Sequence, residues 1–485
     1  MLLKSLLGEI SYELICGELT QNVDAIIYDS RIKTKTGLFI AIEGFTVDGH
    51  RFIDTAIQNG AKVIVVQKDI EIKIKGITVV KVADTRKTMA VLANNMYDCP
   101  SDKLNLVGVT GTNGKTSITF LLGQILESYE QKIGIIGTIE NRIGQQIIKS
   151  ERTTPESIDL QRLFGKMVEN DVKYTLMEVS SHALELSRVD GCKFKVGIFT
   201  NLTQDHLDFH HTMENYALAK AKLFGLCDIG IINKDSDYAE LILANSKCDV
   251  ITYGIDHEAD YTAEDICITA TGVTYTLITP TANYKVSVPI PGKFTVYNTL
   301  SVIIAAEKLG IPMNHILSSL ETVKGVPGRI QSFASSKGYS VIVDYAHTPD
   351  GLENVLQAIT QFAKGRIITV FGCGGDRDNT KRPIMGEVAA KYSHHVMITS
   401  DNPRSEDPIT ILDQVEVGTR KHTDKYIKIV DRKEAILKAL SEAQKDDVIL
   451  IAGKGHENYQ ILKDRIIHFD DSEIVKEFIK QEDVQ

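Results

Sequence analysis

Between residues 1 and about 100, short apolar runs alternate with polar turns, as in AIIYDSR, TGLFIAIEG and RFIDTAIQNGAKVIVVQKD. In the third stretch Phe52, Ile53, Ala56 and Ile57 keep helical spacing, Asn59 and Gly60 form a stop, and a β-branched run follows. The pattern predicts a small α/β unit ending in the Pro and Asp punctuation of MYDCPSDKLN. From Leu104 the rhythm lengthens, with continuous apolar strands at LVGVT, KIGIIGT, YTLMEVS, VGIFTNLT and IGIINKD. Strands apolar on both faces, separated by amphipathic helices, predict a parallel sheet covered on both sides. Between about 250 and 292 the period drops to two in a stretch rich in Thr, Val and Tyr, which predicts antiparallel hairpins attached to that domain. A helix is expected from Thr295, and KGVPGRIQ reads as a linker. Alternation then resumes through YSVIVDYAHTPDG, GRIITVFGCGGDRD, HHVMITSDNPRSEDP and DDVILIAGKGHENY, each strand ending in Gly, Asp, Asn, Arg or His. In an open parallel sheet such strand ends form the ligand crevice.

The fold expected from this pattern is α/β in three domains. A small N-terminal α/β domain spans 1–100. A central P-loop parallel sheet with helices on both faces plus an antiparallel β insert spans 101–328, and a C-terminal Rossmann-like α/β domain spans 329–485. A length of 485 residues agrees with about three domains. Composition is that of an ordinary globular protein, 43% hydrophobic and 24% charged. The net charge of −10 argues against a nucleic-acid footprint but leaves room for a local basic pocket. The short apolar run at the N-terminus lacks a small-residue cleavage site, and no run approaches about 18 apolar residues, so no membrane insertion and a cytoplasmic location are expected. Seven cysteines without CxxC spacing fit a reducing compartment.

NLVGVTGTNGKTSITFLLGQIL, residues 105–126, carries the sharpest chemical signal. LVGVT is a short buried strand, and Ile118, Leu121, Leu122, Ile125 and Leu126 keep helical spacing. The glycine-rich turn therefore opens a helix, where backbone N–H groups and the helix dipole favour an anion. Gly111 and Gly114 permit close approach, Lys115 can neutralise phosphate, and Thr116 can ligate Mg²⁺. The strict G-x-x-x-x-G-K-[ST] pattern asks for glycine where Val109 stands, and Gly108 lies one position early. A phosphate loop of unusual subtype and a purely structural turn are the two readings.

Other stretches each have an ordinary reading beside a chemical one. Glu178 in MEVSSHAL is a strand-end carboxylate, a natural Mg²⁺ ligand beside a phosphate loop. Ser180, Ser181 and His182 lack the G-x-S-x-G elbow of a serine hydrolase. DHLDFHH, with Asp205, His206, Asp208, His210 and His211, is rich in ligands but fits no standard zinc spacing. Lys220 and Lys222 in MENYALAKAKLF read by default as a solvated lysine face. Arg377 in GDRD, Asp401 to Arg404 in DNPR, and Gly453 with Glu457 in GKGHE all follow strands of the last domain. Arginine grips a carboxylate through a planar fork and an acid takes an ammonium, so a zwitterionic amino acid with an extra carboxylate and amine suits this set.

Taken in order, GTNGKTS, TTPES, MEVSSHALELSR, NLTQDHLDFH, AKAKLF, YNTL, VPGR, DYAHTPDG, GCGGDRD, DNPR and GKGHENY resemble the motifs of the Mur ligases of peptidoglycan synthesis, over essentially the whole chain. Within that family the set looks like the branch that adds the third residue of the peptide. The resemblance implies an ATP-dependent amide ligase, expected as a monomer, that takes UDP-N-acetylmuramoyl-L-alanyl-D-glutamate. It adds meso-diaminopimelate, favoured over L-lysine by Arg404. A folylpolyglutamate-synthase-like ligase shares the plan, but usually has Lys-Gly where Lys115 and Thr116 stand. A nucleotide-dependent binding switch is the reading from another class, and it leaves the Arg, Asp and His strand ends unused.

The implied cofactors are ATP, two Mg²⁺ ions and a CO₂-derived carbamate on Lys220, which stands at the family's Tyr-x-x-x-Lys spacing from Tyr216. By the same resemblance Gly111, Thr112, Asn113, Gly114, Lys115, Thr116 and Ser117 bind nucleotide, together with Asn298, Arg329, Asp344 and His347. Lys115, Glu178, His206 and Lys220 are the implied catalytic residues. Thr116, Glu178, His206 and Lys220 hold metal, while Asp205 and Asp208 shape the loop. Ser30 and Thr46 face the UDP portion, and Thr153, Thr154, Ser180 and Arg188 follow the muramoyl-dipeptide. Arg377, Asp401, Asn402, Pro403, Arg404, Gly453 and Glu457 take the incoming amino acid. Arg152 and Leu186 depart from some relatives.

Overall fold

In the computed structural model, residues 1–44, 47–70, 75–326 and 328–482 are described. The chain divides into two compact units, one of residues 1–260 and 304–311, the other of residues 261–303 and 312–485.

The first unit holds two sheets. The smaller has the order Glu13–Cys16, Thr78–Lys81, Ala61–Val66, Gly37–Ile40, Ile26–Ile27, parallel except for its first strand. Its residues alternate between faces as strand geometry requires. Leu38, Ile40, Val63, Val65 and Val80 join Met89 and Leu92 of helix Thr85–Met96, whereas Phe39, Ile64, Val66 and Val79 join Ile53 and Ala56. The expectation for Thr46 lies outside the described residues.

In the larger sheet the first unit contributes Asp249–Gly254, Cys227–Asn233, Phe194–Phe199, Asn105–Thr110, Tyr174–Glu178 and Ile133–Ile136 as neighbouring parallel strands, then an antiparallel hairpin of Glu140–Ile143 and Gln146–Lys149. Asn105–Thr110 is central, and the chain leaves it first to one side and later to the other, the switch point at which α/β sheets bind ligands. Val109 is fully buried between Glu178 and Ile198. Gly108 belongs to the strand, not to the loop, and a Cβ there would stand 2.7 Å from the Phe194 ring. It is a packing glycine, so the reading of Gly108 as a displaced loop glycine is corrected.

The second unit begins with the antiparallel strands Tyr261–Thr269, Gly272–Ile278 and Asn283–Val288. Its main sheet has the order Gln331–Ala334, Ser340–Asp344, Val448–Ala452, Ile367–Phe371, His395–Thr399, Tyr426–Ile429, parallel after the first strand. Helices Pro349–Thr360, Lys381–Tyr392 and Pro408–Thr419 cover one face, and Arg432–Glu442 with Asp471–Glu482 the other. Helices Lys381–Tyr392 and Pro408–Thr419 touch backbone to backbone. A Cβ on Gly418 would collide with Pro383 O, and one on Gly386 with Val415 O. Among the described residues no helix is long and apolar enough to cross a membrane.

Candidate active site

The glycine-rich turn lies between the strand Asn105–Thr110 and the helix Lys115–Ser128. Gly111 (φ 146°) and Gly114 (φ 89°) take conformations that side chains resist. The turn is tied to the segment after the neighbouring strand: Thr112 N donates to Asn201 O (2.9 Å), Asn113 N to Asn201 Oδ1 (3.0 Å), and Thr200 Oγ1 to Asn113 O (2.6 Å). The N–H groups of Thr112 and Asn113 thus hold the turn, and the helix start presents those of Thr116 and Ser117, which by helix geometry lack intrahelical acceptors. Lys115 Nζ folds back onto Gly111 O and Thr112 O, both at 2.8 Å.

Glu178 ends its strand beside this turn and is almost fully buried. Its carboxylate accepts from Thr116 Oγ1 (3.0 Å), Thr138 N (2.9 Å) and Thr138 Oγ1 (3.0 Å), which compensates the cost of burying a charge. Thr138 Oγ1 also meets Thr153 Oγ1 at 3.0 Å. Thr154 Oγ1 donates to Glu178 O (2.8 Å) and accepts from Ser180 N (3.1 Å), and Ser180 caps helix Ser181–Glu185 through Ala183 N. Arg188 donates to Thr154 O (3.1 Å) and pairs with the buried Glu156 at 2.8 Å. Burial draws the Arg188 guanidinium down from its ordinary range, and Glu156 opposes that. Thr153, Thr154, Glu178, Ser180 and Arg188 therefore form one cluster. Ser30 is buried in the smaller sheet region, where its carbonyl accepts from Asn59 Nδ2 (2.9 Å).

The DHLDFHH segment forms an aromatic cluster with the next helix. His182 meets His206 edge-on at 4.8 Å and stacks on Phe209 at 4.2 Å, and His210 stacks on Tyr216 at 4.9 Å. His210 Nε2 meets Ser181 Oγ at 2.9 Å, and burial pushes its pKa down to about 4. Thr212 caps helix Met213–Ala221, in which Tyr216 and Lys220 share a face at i, i+4. Tyr216 OH lies 3.3 Å from Thr112 Oγ1, and Lys220 Nζ sits 4.4 Å from the centre of the Tyr216 ring.

Lys220 is 1% exposed, so the default reading of a solvated lysine face does not hold for it. It does hold for Lys222, which reaches out to pair with Glu185 at 2.6 Å. Burial, and then the charge of Lys115, hold the Lys220 amine well below the usual lysine range, against a weaker pull from Asp205. Among the described residues no group of three or more His, Cys, Asp or Glu side chains is arranged to hold a metal ion.

In the second unit, Asn298 is buried on helix Lys293–Lys308. Asp344 ends its strand, fully enclosed, and accepts from Ile330 N and Ala346 N, both at 2.8 Å, while burial pushes its carboxyl up. Arg329 lies over the Tyr345 ring at 5.3 Å, and Tyr345 packs against His347 and His456. Arg377, Asp401 to Arg404, Gly453 and Glu457 follow three parallel strands at the same sheet edge. Arg404 NH1 donates to Gly375 O (2.6 Å), and Asn402 Nδ2 to Glu457 Oε2 (3.0 Å). Arg377 is exposed and bonds only weakly to Asp376 O (3.3 Å).

Three sequence matches follow this geometry. Residues 22–97 match the Mur ligase family catalytic domain, 109–306 the Mur ligase middle domain, and 328–455 the Mur ligase glutamate ligase domain. The UDP-N-acetylmuramoyl-L-alanyl-D-glutamate--2,6-diaminopimelate ligase 1 of Clostridium acetobutylicum is 52% identical over 99% of this chain and 100% of its own. The ligase of the same name, without the number, from Clostridioides difficile is 51% identical over 96% of each. The chain belongs to the Mur ligase family. Its members are ATP-dependent amide ligases. A solved structure of a UDP-N-acetylmuramoyl-L-alanyl-D-glutamate--2,6-diaminopimelate ligase is 31% identical to this Mur ligase with a TM-score of 0.76, over 99% of both chains.

Several residues of this Mur ligase escape sequence reasoning. Thr138 clasps Glu178 from a strand end that reads as a plain GT turn. Glu156 anchors Arg188 and Arg152, and a signal for it was present in TTPES. Lys454 lies inside GKGHE, wholly buried, between Asn402 and Glu457.

Proposed function

We propose that this chain joins meso-diaminopimelate to the γ-carboxylate of the D-glutamyl residue in UDP-N-acetylmuramoyl-L-alanyl-D-glutamate, at the expense of ATP. The observation that carries the reading is the buried Lys220 amine beside the glycine-rich turn, whose proton affinity is lowered by burial and by the charge of Lys115, which favours the uncharged form that takes up CO₂. Full-length relatives named for this reaction support it. The substrate γ-carboxylate attacks the terminal phosphorus of ATP, forming an acyl phosphate and ADP. The amine of diaminopimelate then adds to the acyl carbon, and phosphate leaves from the tetrahedral intermediate.

Each group of residues has a task in this scheme. The helix start at Thr116 and Ser117 binds phosphate, and Lys115 neutralises the transferring group. Thr153, Thr154, Ser180 and Arg188 orient the muramoyl-dipeptide, Ser30 and Thr46 the uridine end. Asn298, Arg329, Asp344 and His347 contact the nucleotide. The residues fit Mg²⁺, because Glu178 offers a buried oxygen ligand already bonded to Thr116, and a carbamate would convert Lys220 into a second. Thr116 and Glu178 would hold one ion, His206 and carbamylated Lys220 the other, and the ions would spread the charge developing on the phosphoryl oxygens. Arg377, Arg404, Asp401 and Glu457 take the carboxylates and the ammonium of the diamino acid. The three-way division 1–100, 101–328 and 329–485, a monomeric state and a cytoplasmic location complete the proposal.

The test is a purified-enzyme assay for phosphate release with ATP, the UDP-dipeptide and either diaminopimelate or L-lysine, with product mass by mass spectrometry. Release that needs both substrates, with diaminopimelate preferred, is expected. Equal release without the UDP-dipeptide would refute a ligase, and preference for L-lysine would refute the assigned amino acid. Arg404→Ala is expected to raise KM for diaminopimelate by at least about tenfold, the value of one charged hydrogen bond, with KM for ATP unchanged.

A further inference from the structure

The loop GKGHE, just past strand Val448–Ala452, contains a lysine in an unusual setting. A Cβ on Gly453 would stand 2.8 Å from Asp401 Oδ2, so this loop lies directly against the DNPR segment and turns the Lys454 side chain inward. Lys454 is 0% exposed. Lysine is among the residues least often fully buried, and an enclosed ammonium requires partners. Its Nζ donates to Asn402 Oδ1 (3.2 Å) and Glu457 Oε2 (3.0 Å), and lies 5.5 Å from the centre of the Tyr459 ring.

These contacts settle the directions of two other side chains. Asn402 Oδ1 accepts from both Lys454 Nζ and Ile461 N (2.9 Å), so its Nδ2 is the end that faces Glu457, donating to Oε2 at 3.0 Å. Glu457 Oε2 thereby receives two donors, and Glu457 N donates to Lys454 O (2.9 Å), closing the same turn. Glu457 remains part-exposed, whereas Lys454 has no face to offer a ligand. Lys454 can act on an incoming amino acid only through its neighbours, of which Asn402 and Glu457 take its hydrogen bonds.

We propose that Lys454 is a positioning residue for amino-acid selection: its buried ammonium fixes Asn402 and Glu457, so that Glu457 meets the ammonium of a diamino diacid in a preset orientation. The inference rests on the proposed reading of the loop cluster as the amino-acid site. An untied Glu457 side chain would lose rotamer freedom when ligand binds, and pre-orientation removes that cost from the affinity for the amino acid alone. A lysine that merely filled space would leave substrate selection untouched when replaced by an apolar chain of similar length.

The experiment is steady-state kinetics on full-length Lys454→Met, Glu457→Gln and the double variant, with Tm recorded for each. Lys454→Met is expected to raise KM for diaminopimelate by at least about tenfold, a change that one charged hydrogen bond is large enough to produce, while KM for ATP and for the UDP-dipeptide moves less than about twofold. The double variant is expected to be no worse than the poorer single variant, because coupled residues are non-additive. Lys454→Gln retains one donor and carries less folding risk. Its KM for diaminopimelate is expected to rise by a smaller factor, and it replaces the methionine variant should that one fail to fold. Unchanged diaminopimelate KM in the folded variant, multiplicative effects in the double variant, or an equal rise in all three KM values would overturn the proposal. Wild-type enzyme that performs no diaminopimelate-dependent ligation would instead overturn the underlying reading.

Discussion

A lysine amine enclosed in protein is a poor place for a charge, and burial, followed by the charge of Lys115, holds the Lys220 amine below its ordinary range. Its folded pKa lies well below the ordinary 10.5, so between the two values the unfolded chain binds a proton that the folded chain lacks. Stability therefore rises with pH across that window, and the deficit disappears above it. Lys220→Met is expected to raise Tm by a few degrees at pH 7 in CO₂-depleted buffer, with the gain shrinking toward pH 10. Ligase turnover should fall by at least about a hundredfold. A Tm difference that grows with pH would contradict the assignment. At Val109 the expectation runs the other way. Val109→Gly would restore the common phosphate-loop pattern, yet Val109 is a fully buried strand residue beside Ile198. Urea denaturation is expected to show a loss of about 2–4 kcal/mol, as for other large-to-small core changes, with no gain in nucleotide affinity.

At the scale of elements, the GDRD and DNPR loops are braced by one ion pair. Arg382, fully enclosed at the start of its helix, donates to both oxygens of Glu406 (2.8 and 2.9 Å), to Gln414 and to Gly374 O. Those bonds, followed by one from Asp376 N, pull the Glu406 carboxyl from 4.5 down to about 2. The stabilisation is fully present above 4.5 and is lost as pH falls toward 2. Glu406→Gln should therefore lower the urea midpoint at pH 7, and the gap from wild type should narrow steadily below pH 4.5. A gap independent of pH would show that the brace is not electrostatic.

Much at this scale was legible in the chain. Continuous apolar runs between helical patterns located the parallel strands, period-two alternation located the antiparallel hairpins, and Lys115 stands where a helix had to begin. Glu178 and the strand-end loops with Arg377, Arg404 and Glu457 followed from the same alternation. The packing role of Gly108, the burial of Lys220, and the parts played by Thr138 and Lys454 were not legible, although the resemblance singles out Lys220 by its spacing from Tyr216. Their roles depend on which neighbour lies above or beside them, and spacing along one strand or helix carries no such information.

Across the whole molecule, two units each present parallel strand ends edged with polar residues, but of different chemistry. One offers a glycine turn, a carboxylate and a buried amine; the other offers arginines, acids and an amide. Diaminopimelate alone should therefore slow amide hydrogen exchange at 372–377, 400–404 and 453–457 while leaving 111–117 and 200–206 unchanged, since a ligand stabilises only what it binds. Protection appearing first at the glycine turn would contradict that division.

The paired glycines of helices Lys381–Tyr392 and Pro408–Thr419 add a constraint of another kind. The GDRD loop runs into the first helix and the DNPR loop into the second. With no side chain between the two backbones, neither helix has slack to slide, and Arg377 and Arg404 are mounted on what amounts to a fixed-gap caliper. On the proposed reading of these loops as the amino-acid site, such a gauge would measure one molecular length, and a different amino acid would be admitted only by exchanging the jaws themselves. Gly418→Ala, which wedges the helices apart, is thus expected to blunt discrimination between diaminopimelate and shorter diamino acids before it abolishes catalysis.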